Sequence, residues 1–386
     1  MTHDDDDDEA ILARIRLARA PGLGPRGLAA LRDEARGKRR DDEPPVSTIE
    51  QLLALGAGGL RALGLPERVS RALFDPGLQE LAREELNHLR ARRDLPLGLG
   101  LPGYPARLDE IHDPPPFLCA RGALRPEDAR AVAVVGARRA TPAGLLFAHG
   151  LARDLALAGV TVVSGLARGV DQAAHEGALA AGGRTLAVLG AGLDCPLPPP
   201  AAALAARISA AGAVLSEFAP RERARKHTFP QRNRVIAGLA QGVIVVQAGD
   251  RSGALITADL AQDSAREVFA VPGWPEEPLA RGPNRLLRDG AHLVEHAGDV
   301  LDVLIGQRSG EPDPQARSEE DGAPLRARPQ GEPEARLLRA LGPRARDLPE
   351  LLAEAGLDWR AGLLALGRLE LAGHARRAGP GYVRAG

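Results

Sequence analysis

The chain has 386 residues, a formal net charge of −1 and 44% hydrophobic side chains, enough for two or three domains with sizeable cores. Aromatics make up only 3%, so those cores are built from Ala, Leu and Val, and no apolar run approaches the roughly 18 residues of a membrane span. Two cysteines, Cys119 and Cys195, form neither a CxxC pair nor a metal-ligand spacing, which excludes a disulfide scaffold and fits a reduced, cytoplasmic setting without a metal site.

Met-Thr-His, five Asp and Glu9 open the chain, the opposite of a basic signal-peptide start. Residues 1–9 are expected as an acidic disordered tail, and without their six negative charges the remainder carries +5. Competition with DNA phosphates is the alternative role for this tip. Residues 10–93 read as helical, with apolar residues at helical spacing in Ile11–Leu17, Leu28–Leu31, Leu52–Leu63 and Val69–Leu89. A Gly-rich turn, Pro21-Gly-Leu-Gly-Pro-Arg-Gly27, separates the first two, a layout similar to helix-hairpin-helix or SAM-like modules. Such modules often touch the DNA backbone through main-chain N–H groups, and they are also common as plain structure. The same turn satisfies GxGxxG letter for letter, but a helix rather than a strand enters it, so a dinucleotide site is rejected.

From Ala131 to about Leu304 the pattern changes to short apolar runs separated by helical stretches. Strands are predicted at Val132–Val135, Val160–Val163, Thr185–Leu189, Ala213–Ser216, Val243–Gln247 and Val268–Val271. Helices fit at Ala143–Ala158, Val170–Ala181, Ala201–Ala211, Gln231–Ala240 and Ala254–Ala265. Continuous apolar runs suit strands buried on both faces, and the alternation implies an α/β, doubly wound, mostly parallel sheet. The core domain is set at 94–305. Residues 306–333, rich in Pro, Glu, Arg and Gly, read as a flexible linker. Beyond it, helices at Glu334–Leu341, after Asp347 and after Asp358, with a Gly-Pro-Gly hairpin near the end, are similar to a winged-helix domain over 334–386. Its third helix carries only Arg360 and Arg368 as cations, so protein contact or dimerisation competes with DNA reading.

In an open parallel sheet ligands lie beyond the carboxyl ends of the strands. The first predicted strand gives Gly136-Ala-Arg-Arg-Ala-Thr141-Pro142: a small residue for close approach, two cations, then a helix cap. The second gives Ser164-Gly165-Leu-Ala-Arg168-Gly169-Val-Asp171, followed by His175, with hydroxyl and N–H donors for phosphate. Asp171 and His175, four apart, can pair, as an acid/base couple or as an ordering contact. The fourth strand feeds a basic loop: Arg221–Arg234 holds six Lys/Arg against one Glu and contains Lys226, Phe229, Arg232 and Asn233. The fifth leads to Ser252-Gly253 at another helix start. Cations for phosphates plus a ring for a base are what single-stranded nucleic acid needs. A P-loop, HExxH, GxSxG and a two-metal acidic cluster are missing, which lowers an enzymatic reading and names no cofactor.

Together these segments, with Ser252–Ala258 and Val268-Phe-Ala-Val-Pro-Gly273, resemble the DNA-processing protein A (DprA/Smf) family in the family's order over 131–302. The resemblance implies an extended Rossmann-like core that binds single-stranded DNA without sequence preference. It also implies a homodimer that protects incoming DNA during natural transformation and loads the RecA recombinase, with no membrane role. Carried over by motif, the DNA-binding positions are Gly136, Arg138, Ser164, Gly165, Arg168, Gly169, Lys226, Phe229, Arg232, Asn233, Ser252 and Gly253. Pro283 departs from the family's more usual Thr before Asn284, which puts a hydroxyl contact there in question. Arg232 and Arg234 each have three readings: phosphate contact, pairing with Glu217, or helix-start structure. The rival function is a nucleotide or nucleoside-phosphate hydrolase on the same fold using Asp171 or Glu217. A sequence-specific regulator working through the last domain is a third.

Overall fold

A computed structural model describes residues 3–37, 48–306, 332–342 and 346–357, and parts of 361–384. Two compact units divide the chain after residue 310. In the first, α1 (His3–Arg19) and α2 (Pro25–Gly37) are joined by a turn at Gly22, whose φ of +87° suits glycine. Then come α3 (Ile49–Ala54), α4 (Gly56–Ala62), α5 (Glu67–Ala72) and α6 (Pro76–Ala91). Asp75 caps α6 by accepting from the Gly77 N–H at 2.8 Å, with Pro76 in the first turn.

The acidic tip corrects the expectation of a disordered tail, because α1 begins within it. Arg16 and Arg19 in its last turn complement the helix dipole. Asp8 is held further by Arg90 of α6 at 2.6 Å.

A nine-stranded sheet follows, in the order β1-β2-β6-β5-β4-β3-β7-β8-β9. Its strands are β1 (Leu95–Gly98), β2 (Phe117–Gly122), β3 (Ala131–Val135), β4 (Thr161–Ser164), β5 (Thr185–Val188), β6 (Ala213–Ser216), β7 (Gly242–Val245), β8 (Glu267–Ala270) and β9 (His292–Leu293). From β6 across to β9 neighbours are parallel, while β1 and β2 run antiparallel along the β6 edge. Every residue of β3 through β7 is buried, the reason these strands read as unbroken apolar runs. Between them lie α7 (Ala106–Asp109), α8 (Pro142–Leu157), α9 (Val170–Ala180), α10 (Pro199–Ala211), α11 (Thr228–Leu239), α12 (Gly253–Asp263) and α13 (Arg281–Arg288), with α14 (Ala297–Gly306) last.

One face of the sheet buries Val235, Ile236, Leu255 and Ala258 of α11 and α12; the other buries Leu151, Leu155, Ala174 and Val300 of α8, α9 and α14. Leu12, Ile15, Leu86 and Leu89 of α1 and α6 share a core with Phe117, Cys119 and Val214 of β2 and β6. The helical layer and the sheet therefore form one compact unit, where the composition shift suggests two domains. Strand order reverses between β3 and β7, which places a crevice beyond their carboxyl ends.

The second unit contains α15 (Glu332–Ala340), α16 (Leu348–Ala355) and an antiparallel hairpin of β10 (Ala375–Ala378) and β11 (Gly381–Arg384). Asp347 caps α16 by accepting from the Glu350 N–H at 3.0 Å, and Gly356 ends it with φ +59°. Leu337, Leu351, Leu366 and Leu369 form its small core. The expected linker falls almost wholly on 307–331, and Asp358 at the start of the third helix likewise lies outside the described residues. No helix among the described residues is long and apolar enough to cross a membrane.

Candidate nucleic-acid interface

At the β3/β7 crevice a cavity of about 450 Å³ is lined by Gly136, Arg138, Lys226, Phe229, Ser252 and Gly253, with Arg232 and Asn233 in its floor. Each element reaches it for a local reason. At the end of β3 a Cβ on Gly136 would meet Val170 at 2.7 Å and the Gln247 carbonyl at 3.0 Å, so only glycine lets α9 approach. Thr141 caps α8 by accepting from the Gly144 N–H at 3.1 Å. The Gln247 amide clamps the same loop: its Oε1 accepts from Thr141 N–H, and its Nε2 donates to Thr141 Oγ1, each at 2.9 Å. That clamp fixes the stretch carrying Arg138 and Arg139, both exposed. Sequence reasoning misses Gln247 as a site residue; a polar side chain directly after an apolar strand is the only signal it gives.

On the other side, Thr228 opens α11 by donating to the Gly190 carbonyl at 2.7 Å. This seats Phe229 against Gly190, where an added Cβ would lie 3.0 Å from the ring. The Arg138 guanidinium sits over the ring, 4.9 Å from its centroid. Lys226, Arg221, Arg223 and Arg225 are exposed along the loop, and none of them has a carboxylate partner among the described residues. Ser252 caps α12, its Oγ accepting from the Ala254 N–H at 3.3 Å, and Gly253 faces open space.

Several predicted contact residues turn inward. Ser164 is fully buried and donates to the Val134 carbonyl at 2.6 Å, so its hydroxyl is not available to a phosphate. Gly165 is buried too, its N–H donated to Asp171 at 3.2 Å. Arg232 is 5% exposed, donates to the carbonyls of Gly165 (2.8 Å) and Val188, and is pushed down to about 10 by burial. It braces the loop from below, and a Cβ on Gly165 would strike its guanidinium. Asn233 bridges Arg232 to the Gly253 carbonyl, at 3.2 Å on each side. Gly169, with φ +100°, packs the β4 loop onto the β3 loop, where a Cβ would collide with the backbone of Ala137 and Arg138. Arg168 projects outward from that junction. Arg234 pairs with Glu217, the second of its three readings.

Asp171 and His175 do not pair. Asp171 accepts from the N–H groups of Gly165 and Ala167, and burial pushes its carboxyl up, opposed by the nearby Arg232. His175 Nδ1 lies 2.7 Å from Thr185 Oγ1, which itself donates to Val162 O; the Nδ1 must therefore carry the proton. Burial takes His175 down to about 3, so it stays neutral. The departure at Pro283 leaves Asn284 exchanging two hydrogen bonds with the Gly273 backbone, at 3.2 and 2.8 Å. The α1–α2 turn borders a 250 Å³ cavity that includes Glu217 and Glu222, carboxylates unsuited to a phosphate.

Comparison with known proteins decides the family. The model of DNA recombination-mediator protein A matches residues 97–305, and that of the DprA winged helix domain matches 321–381. The chain belongs to the DprA family. It is 44% identical over 202 residues to the DNA processing protein DprA of Streptococcus pneumoniae, covering 51% of this chain and 70% of that one. Protein Smf of Synechocystis is 41% identical over 207 residues, and there the match spans about half of each chain, 53% and 52%. Among solved structures, DprA of S. pneumoniae is 32% identical with a TM-score of 0.60, over 75% of this chain and 96% of that one. A structure of DprA from Helicobacter pylori, described by its single-stranded DNA binding mode, is 31% identical with a TM-score of 0.50, over 56% and 97%.

Proposed function

We propose that this DprA-family chain binds single-stranded DNA without sequence preference in the crevice at the carboxyl edge of its sheet. The observation that carries the reading is the set Arg138, Arg168 and Lys226, exposed cations without carboxylate partners among the described residues: Arg138 and Lys226 share a cavity with Phe229, and Arg168 lines the adjoining cavity with Arg138. A π-face accepts any base, which fits binding without sequence preference. Phe229 is bracketed by Gly190 and Arg138, so an incoming base takes the place of the guanidinium over the ring. The exchange is favourable: an exposed cation–π contact contributes about 0.5–1 kcal/mol and base stacking roughly 1–3 kcal/mol. The displaced Arg138 then meets the strand's phosphate.

In the fuller reading the protein acts in the cytoplasm as a homodimer that protects incoming strands during natural transformation and hands them to a RecA-type recombinase. The H. pylori relative, described by its single-stranded DNA binding, supports the first step. A binding protein is favoured over a hydrolase because the two carboxylates a hydrolase would use are committed. Asp171 is taken by backbone N–H groups, and Glu217 by Arg234. A gel shift comparing poly-dT with duplex across a salt series tests the reading: poly-dT should stay bound at salt concentrations that release the duplex. Equal retention of both, or turnover of nucleoside monophosphates that Asp171→Ala abolishes, would contradict it.

A further inference from the structure

We propose that a second nucleotide subsite adjoins the Phe229 cavity and takes the neighbouring base of a bound strand; the proposal rests on the reading of this edge as a single-strand groove. A cavity of about 650 Å³ opens between the first turns of α8, α9 and α10, within the size range of ligand sites. Arg138 lines both cavities, one on either side of it.

The two cavities are held together by backbone. The Val170 N–H donates to the Ala137 carbonyl at 3.3 Å, and Gly169 leaves no room for a side chain between the β3 and β4 loops. Arg138 and Arg168 therefore rise from loops in direct contact. A phosphate seated over Arg138 has Phe229 on one side and the second cavity on the other. Leu145, Pro200 and Leu204 give that cavity apolar walls, and Arg168 supplies a cation for the next phosphate. Gln172 brings an amide whose Nε2 donates one hydrogen to the Leu166 carbonyl at 3.4 Å, leaving its second N–H and its oxygen to meet the polar edge of a base. Glu176, also on the lining, is held by Arg207 at 2.7 and 2.9 Å, so its charge is compensated.

Among the described residues no aromatic ring lines this second cavity. Its base is held by apolar contact and the Gln172 amide, and the subsite contributes affinity without a stacking platform.

The test uses the full chain and the shortest oligo-dT that reaches full affinity, with one abasic nucleotide moved along it. Two neighbouring positions should each lose affinity on the order of tenfold, one for each cavity. Gln172→Leu, which removes the amide without adding a ring, should shrink the loss at one position and keep the other. A loss at a single position in the unaltered protein overturns the second subsite, and this measurement does not depend on a variant folding. Two losses unchanged in Gln172→Leu overturn it as well. Indifference to abasic sites at every position, together with wild-type binding by Phe229→Ala, would instead remove the groove reading beneath it.

Discussion

The two ends of the parallel sheet are both cationic and both hollow, yet they are chemically opposite. At the amino ends of the strands a 360 Å³ cavity is walled by Tyr104, Leu124, Leu186 and Leu239, and two cations near it, Arg184 and Arg266, are closed into pairs. Arg184 binds Asp128 at 2.7 Å, and Arg266 reaches Glu110 at 3.0 Å. At the carboxyl ends Arg138, Arg168 and Lys226 have no such partner among the described residues, and the carboxylate beside them, Asp171, is turned to the backbone. What separates Arg184 and Arg266 from Arg138, Arg168 and Lys226 is that carboxylates are supplied to the first pair and not to the second set. An end left unpaired is an end kept for an anion.

Removing an inward cation should break the contrast most severely. Arg232→Ala leaves Asp171 buried without its nearby positive charge and two carbonyls without donors, and should cost about 3–5 kcal/mol of stability. Denaturant unfolding measures it; a loss under about 1 kcal/mol would mean Arg232 does not brace the loop. Next is Phe229→Ala, expected to lower oligo-dT affinity by roughly 1–3 kcal/mol while leaving its salt dependence in place. Unaltered affinity would assign the ring to packing against Gly190 alone.

A more gradual effect is pH-dependent. The folded chain holds His175 at about 3, against 6.5 for an unperturbed histidine. Between those values the unfolded chain binds the extra proton, so stability falls as pH drops, by at most about 1.4 kcal/mol per unit. Asp171 and Glu217, both pushed up by burial, contribute with the opposite sign: stability lost as pH rises. Comparison with His175→Gln isolates the histidine, and the variant should show a weaker acid destabilisation. An identical profile would sink the assignment of a neutral, buried ring.

Much of this is legible in the residues because β3 to β7 are buried on both faces and read as apolar runs. The antiparallel edge is not. Pro96 inside β1 removes a ladder donor, and β2 ends on Arg121-Gly122, so neither carries the parallel-strand signature. In the site, Arg138 and Lys226 are visible as residue types on loops, and Phe229 as a ring beside the basic loop, though it falls in the first turn of α11. The inward turn of Ser164, Gly165 and Arg232 is not, because it depends on Val134, Asp171 and Val188 of other elements. Gln247 is hidden for the same reason: its partner Thr141 lies 106 residues away.

The most direct measurement is the salt dependence of oligo-dT binding by Lys226→Ala beside the unaltered chain. If the carboxyl edge is a phosphate track, the variant binds more weakly and its log–log slope flattens by about 0.7 for each phosphate that is no longer neutralised. A slope identical to that of the unaltered chain would contradict it.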